Sequence, residues 1–184
     1  MPKIEPVNYE SADGETKQLL DEVQALLGAT PNMTTTMARS AVLAGWLGLG
    51  RALRGGAIGG ADAERIALGV AEANECSYCL SAHTYVARNA AGLDDEEIAR
   101  ARRFESGQAR SAAILAFARS ILGTRGGVGA SELEAAREAG LGDAELSEIV
   151  GHVALNVLTN YFNRAFGVEV DFPVVEPESA AVVA

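Results

Sequence analysis

Helical spacing dominates this chain. Ala, Leu, Glu and Arg recur at i, i+3 and i+4 over most of its length, and strict alternation of Val, Ile and Thr is missing outside the tail. That pattern predicts an all-α fold, a multi-helix bundle. The first helix is expected over Gly14–Leu27, with Leu19, Leu20, Val23, Leu26 and Leu27 on one stripe and Gly28 as its stop. Thr30-Pro31-Asn32 starts a second helical stretch that reaches about Arg54. The pairs Gly55-Gly56 and Gly59-Gly60 break the chain, and Asp62 caps a third helix running to about Asn74. A fourth is expected from Cys76 to Gly92, followed by Asp94–Arg103, Ser106–Leu122, Ser131–Ala139 and Asp143–Phe166. Gly123 to Gly129 reads as a loop, the tail from Val168 on, including 171–184, as extended, and its Pro177-containing end as mobile. Gly92-Leu93-Asp94 and Gly140-Leu141-Gly142 open two similar stretches, which read as two similar helix corners or as a duplicated helical unit.

At 184 residues, the expectation is one domain spanning 1–184, large enough to fold without disulfide or metal staples. Fifteen Lys and Arg against 25 Asp and Glu give a net charge of −10. Such a surface repels nucleic-acid phosphates and anionic membranes, so neither is an expected partner. The longest apolar run, Ala41 to Gly50, is about half the ~20 residues that a membrane helix needs. The residues after Met1 contain no apolar signal core, and the expected location is the cytoplasm.

The two cysteines of the chain sit together, in Cys76-Ser77-Tyr78-Cys79. In a reducing compartment that spacing reads as redox or metal chemistry. On one helix, Cys76, Cys79 and His83 fall within ~60° of arc at ~100° per residue, so an imidazole shares a face with two thiols. An ordinary thiol is only ~3% ionised at pH 7, so a neighbouring base matters. A helix start favours the thiolate, whereas Glu75 beside it opposes one. Glu64 falls with Ala67, Leu68 and Ala71 on an apolar face of the third helix, away from the polar side that carries Arg65 and Glu72. Folding the third and fourth helices back on each other around Glu75 brings Glu64 to within ~6 Å of the height of His83. A carboxylate there orients the imidazole and accepts its proton. Other readings stay open: half of a zinc site, inert core thiols, and for Glu64 an ordinary first-turn acidic residue. Trp46, Tyr78 and Tyr85 read as packing residues.

The last long helix carries an uncharged stripe, His152, Asn156, Thr159, Asn160 and Asn163, within ~100° of arc. It reads as a hydrogen-bonded network in a subunit interface or lining a site, with a plain wet face as the alternative.

Glu64, eleven residues, Cys76-Ser77-Tyr78-Cys79, three residues and His83 resemble the alkyl hydroperoxidase D-like branch of the carboxymuconolactone decarboxylase family. Thr159-Asn160-Tyr161-Phe162-Asn163 and Asp171-Phe172-Pro173 extend the likeness to a peroxidase-related subgroup. The resemblance implies an all-α fold assembled as trimers or hexamers. It implies peroxide reduction with Cys79 as the peroxidatic thiol, Cys76 as the resolving thiol, and His83 with Glu64 as a proton relay. The implied partners are a small or organic hydroperoxide and an external dithiol reductant, of protein or lipoyl type, with no bound cofactor and no metal. Decarboxylase members generally lack the cysteine pair. Some hydroperoxidase members carry a His between the two cysteines where this chain has Tyr78. The rival expectations are a thiol–disulfide module or sensor that does not turn over peroxide, and a zinc-binding protein.

Overall fold

The computed structural model describes residues 3–178. A 3-10 turn, Tyr9–Ser11, precedes α1 (Gly14–Leu27), α2 (Asn32–Met37), α3 (Val42–Arg54), α4 (Gly60–Ala73), α5 (Ser77–Asn89), α6 (Asp95–Ala101), α7 (Ala109–Thr124), α8 (Ala130–Glu138) and α9 (Asp143–Phe166). Among the described residues there is no strand, in agreement with the all-α expectation. None of these helices is long and apolar enough to cross a membrane.

The central element is α4, buried at every position from Arg65 to Glu72. One side packs Ile66 and Val70 against Ile114, Leu115, Ile149 and Val153 of α7 and α9. The other packs Leu68 and Ala71 against Leu80 and Ala87 of α5 and Ile98 of α6. A third cluster, Leu20, Val23, Met37, Leu43 and Leu47, joins α1, α2 and α3 at one end. Gly69 allows the closest approach to α4: a Cβ there would stand 2.7 Å from the Phe104 ring and 3.0 Å from the carbonyl oxygen of Ala101.

Three departures from the sequence reading shape the fold. The expected helix from Asn32 to Arg54 is two helices, interrupted over Ala38–Ala41. The hydroxyls of Thr34, Thr35 and Thr36 bond back to the carbonyls of Pro31 and Asn32. Ser40 then accepts from the Val42 amide and restarts the chain as α3. Second, Arg65 and Glu72 are not on a solvated side: each is 3% exposed. Arg65 pairs with Asp62 at 3.0 Å and Glu97 at 2.8 Å, and Glu72 with Arg102 at 2.7 Å. Asp62 therefore serves this pair inside the first turn, and Gly59 holds the cap position. Third, the tail up to Glu178 is held against the body. Val168, Val170, Phe172 and Val175 pack on the α4–α5 core, and the Val175 amide donates to Ser81 Oγ at 2.9 Å. The rest of the expected tail, 179–184, lies outside the described residues.

The two similar corners share a mechanism. Gly92 and Gly140 take φ of 70° and 86°, Leu93 and Leu141 are buried behind them, and a carboxylate caps each restart.

Candidate active site

Three residues, Asn74, Glu75 and Cys76, connect α4 to α5. The amides of Glu75 and Cys76 return to the carbonyls of Glu72 and Ala71, at 2.9 and 3.0 Å, and Glu75 takes a positive φ of 51° to allow it. Arg164 of α9 ties the turn down through the Asn74 carbonyl and the Glu75 carboxylate. That ion pair offsets the Glu75 charge that opposed a thiolate in the sequence reading.

Cys76 is the N-cap of α5 rather than part of the helix. Its backbone is extended, and its sulfur accepts from the Cys79 amide at 3.3 Å. The capping geometry still brings the sulfurs together: the two buried free thiols are 2.7 Å apart, with Cys76 donating to Cys79. Asn163 Nδ2 donates to the same Cys79 sulfur at 3.2 Å. These contacts polarise the pair. The hydrogen bond from Cys76, helped by Asn163, the His83 charge and Asn160, outweighs burial and brings the Cys79 thiol down to about 6. Donating to Cys79 while buried sends the Cys76 thiol up.

Glu64, in the second turn of α4, meets His83 of α5, Oε2 to Nδ1, at 2.8 Å. Burial works against a charged imidazole, but the charge and hydrogen bond of Glu64, together with Cys79, prevail and raise the His83 pKa. All four residues singled out by the motif thus lie along the α4–α5 contact. They form two bonded pairs, Cys76–Cys79 and Glu64–His83, and charge links the pairs.

The stripe on α9 is buried, which removes the wet-face alternative: His152, Asn156, Thr159, Asn160 and Asn163 are each at most 6% exposed. Asn163 reaches Cys79, and Asn160 Oδ1 accepts from Asn74 Nδ2 at 2.9 Å. Asn74, Asn160, Asn163 and Arg164 were not among the expected site residues. The stripe itself was the available signal for Asn160 and Asn163. Burial lowers the pKa of His152, against the opposing charges of Glu148 and Glu64. Tyr78 accepts the Met33 amide at 3.1 Å and meets the edge of Phe172, a packing role. Among the described residues, no group of three or more His, Cys, Asp or Glu is placed to hold a metal ion, so the zinc alternative finds no third ligand.

Residues 40–122, which include Glu64, Cys76, Cys79 and His83, match the sequence model of the carboxymuconolactone decarboxylase family. Over that stretch the chain is similar to the carboxymuconolactone decarboxylase family. Three of the solved structures that share its fold are two peroxidase-related proteins and a debrominase. One is an alkylhydroperoxidase core, a peroxidase-related protein from Ralstonia eutropha JMP134, with a TM-score of 0.80, 22% identity and 92% of each chain covered. Another is a peroxidase-related protein from Silicibacter sp. TM1040, with a TM-score of 0.75, 24% identity, and 92% of this chain and 94% of that one covered. The third is the debrominase Bmp8 in complex with 2,3,4-tribromopyrrole, with a TM-score of 0.76, 18% identity and 91% of each chain covered. No curated protein matches the chain in sequence. The family is the one that the motif resembles, and its fold carries more than one activity.

Proposed function

We propose that the chain is a member of this family and a thiol peroxidase of the alkyl hydroperoxidase type, working as one domain over 1–184. The observation that carries the reading is the buried thiol pair: Cys79 lies 2.7 Å from Cys76 and 3.2 Å from Asn163 Nδ2, beside the Glu64–His83 contact, an arrangement that favours a thiolate on Cys79. His83, oriented by Glu64, takes the proton of Cys79. The Cys79 thiolate attacks a hydroperoxide and becomes a sulfenic acid. Cys76 condenses with that acid, releasing water and forming a disulfide. An external dithiol resets the pair by exchange. Aromatic and aliphatic side chains around the thiols suit hydrogen peroxide or small organic hydroperoxides.

The test is steady-state turnover of several hydroperoxides with a dithiol reductant, alongside a brominated pyrrole. Turnover of peroxide supports the reading. A single stoichiometric oxidation with no turnover identifies a redox sensor, and bromide release without peroxide turnover identifies a dehalogenase, as in the debrominase of the same fold.

A further inference from the structure

A charged sulfur in a dry site needs donors, because a buried charge left unpaired is costly. Cys79 is 2% exposed. In the structure it receives one side-chain amide directly, Asn163 Nδ2 at 3.2 Å. Asn160 lies three residues earlier on the same helical face of α9. The orientation of its amide is fixed from behind, since Oδ1 is taken by Asn74 Nδ2 at 2.9 Å. Its own nitrogen is then buried with no partner, and so is Asn163 Oδ1. Buried polar groups are normally satisfied, so the orphan donor, which acts on the Cys79 sulfur, calls for a charged thiolate, and the orphan acceptor three residues on calls for a ligand. Asn156, lower on the same stripe, is different: its amide is satisfied by the His152 carbonyl at 2.9 Å. Both orphan groups lie outside residues 40–122, so they are not part of the matched family segment.

We propose that Asn160 and Asn163 form a two-amide hole for the sulfur anion of Cys79, and that the free carbonyl oxygen of Asn163 receives the hydroxyl of the bound hydroperoxide. The second half rests on the peroxidase reading; the first does not. In the reaction, a lone pair of the Cys79 sulfur attacks the terminal peroxide oxygen. The S–O bond forms and the O–O bond breaks. The transferred oxygen keeps its hydrogen, held by Asn163 Oδ1, and the alkoxide leaves with the proton that His83 took from Cys79. The sulfur is oxidised by two electrons and the peroxide is reduced to an alcohol. The substrate class is therefore one with a peroxide O–H, hydrogen peroxide or a monoalkyl hydroperoxide, and dialkyl peroxides are excluded.

The experiment measures Cys79 in Asn163→Leu, Asn160→Leu and the shape-preserving Asn163→Asp, with Asn156→Leu as the control and thermal melts to establish folding. Residue-resolved alkylation by iodoacetamide across pH gives the thiol pKa without any peroxide. It is expected to rise by roughly one unit in Asn163→Leu, further in Asn163→Asp, less in Asn160→Leu, and not in Asn156→Leu. Single-turnover oxidation by tert-butyl hydroperoxide is then compared with alkylation at a pH where each variant is fully ionised. There Asn163→Leu should lose roughly tenfold or more of its peroxide rate while keeping its alkylation rate. A thiol pKa that stays put in a folded Asn163 variant overturns the hole. Equal losses towards both reagents overturn the hydroxyl contact. If the wild-type thiol shifts as expected in the variants but no form reacts with peroxide, the hole stands and the peroxidase reading fails.

Discussion

The chemistry of this chain concentrates in a few buried atoms, and the two cysteines show how position alone separates identical side chains. Cys76 caps a helix and keeps its proton; Cys79, one turn on, receives hydrogen bonds and a positive neighbour and loses its proton early. Because the folded thiol lies below the ~8.5 of an unfolded chain, its ionisation stabilises the fold at alkaline pH. That contribution is lost as pH falls through about 6. His83 has the opposite sign: its raised pKa adds stability below ~6.5, lost as pH rises through the folded value. The thiolate–imidazolium pair is therefore favoured from about 6 up to the raised His83 value, and turnover should show an acid limb near 6. A limb that stays near the unperturbed thiol value would refute the polarised pair. The Glu64–His83 contact carries a second expectation. Glu64→Gln should slow turnover on the order of 10²-fold, and adding it to His83→Ala should cost little more, since the two act as one relay. Glu96, whose side chain is 76% exposed, is the control; Glu72 is unsuitable because it is buried in an ion pair. Losses that multiply independently would show that Glu64 acts alone. At this scale the sequence was readable where residues repeat a spacing: Cys79 and His83 are one turn apart on α5 and Glu64 meets His83 once α4 and α5 fold back, whereas Cys76, expected on the helix, caps it instead. Asn74 and Arg164 were not readable, because their roles arise only when α9 crosses the α4–α5 turn.

At the scale of the helix, most boundaries followed from glycines and caps. Gly28 and Gly167 end α1 and α9 at φ of 73° and 61°, and both ends fall where periodicity put them. The α2–α3 break was hidden because it depends on threonine hydroxyls competing for carbonyls, which no hydrophobic period records. The burial of Arg65 and Glu72 was hidden for a related reason. Their partners, Glu97 and Arg102, come from α6 and the turn after it, and charge on a helix normally means solvent. Because α4 is enclosed on every side, it tolerates little added volume. Gly69→Ala drives a methyl group into Phe104, whose own backbone has a φ of 57°, and should cost about 1–3 kcal/mol. Thermal or urea denaturation checks this, and an unchanged midpoint would show that the Phe104 turn yields freely.

The described residues wrap one central helix, pack a C-terminal segment on the cluster that holds the thiols, and leave an apolar edge. Val150, Ala154, Leu158 and Tyr161 recur on the outer side of α9, all exposed, Tyr161 at 58%. A stripe of that kind would suit a second copy of the chain, as the trimers or hexamers implied by the motif's resemblance require. Light scattering at micromolar concentration should return a multiple of 19.1 kDa, and Leu158→Glu should move it towards one chain. A wild-type mass near 19.1 kDa would refute assembly. The central claim concerns which sulfur reacts, and one measurement addresses it directly: mass-spectrometric localisation of oxidation after one equivalent of hydroperoxide. The wild-type chain is predicted to form a Cys76–Cys79 disulfide, Cys76→Ser a trappable sulfenic acid on Cys79, and Cys79→Ser no rapid product. Sulfenic acid on Cys76 in the Cys79→Ser variant, or an unoxidised Cys79 in Cys76→Ser, would contradict the account.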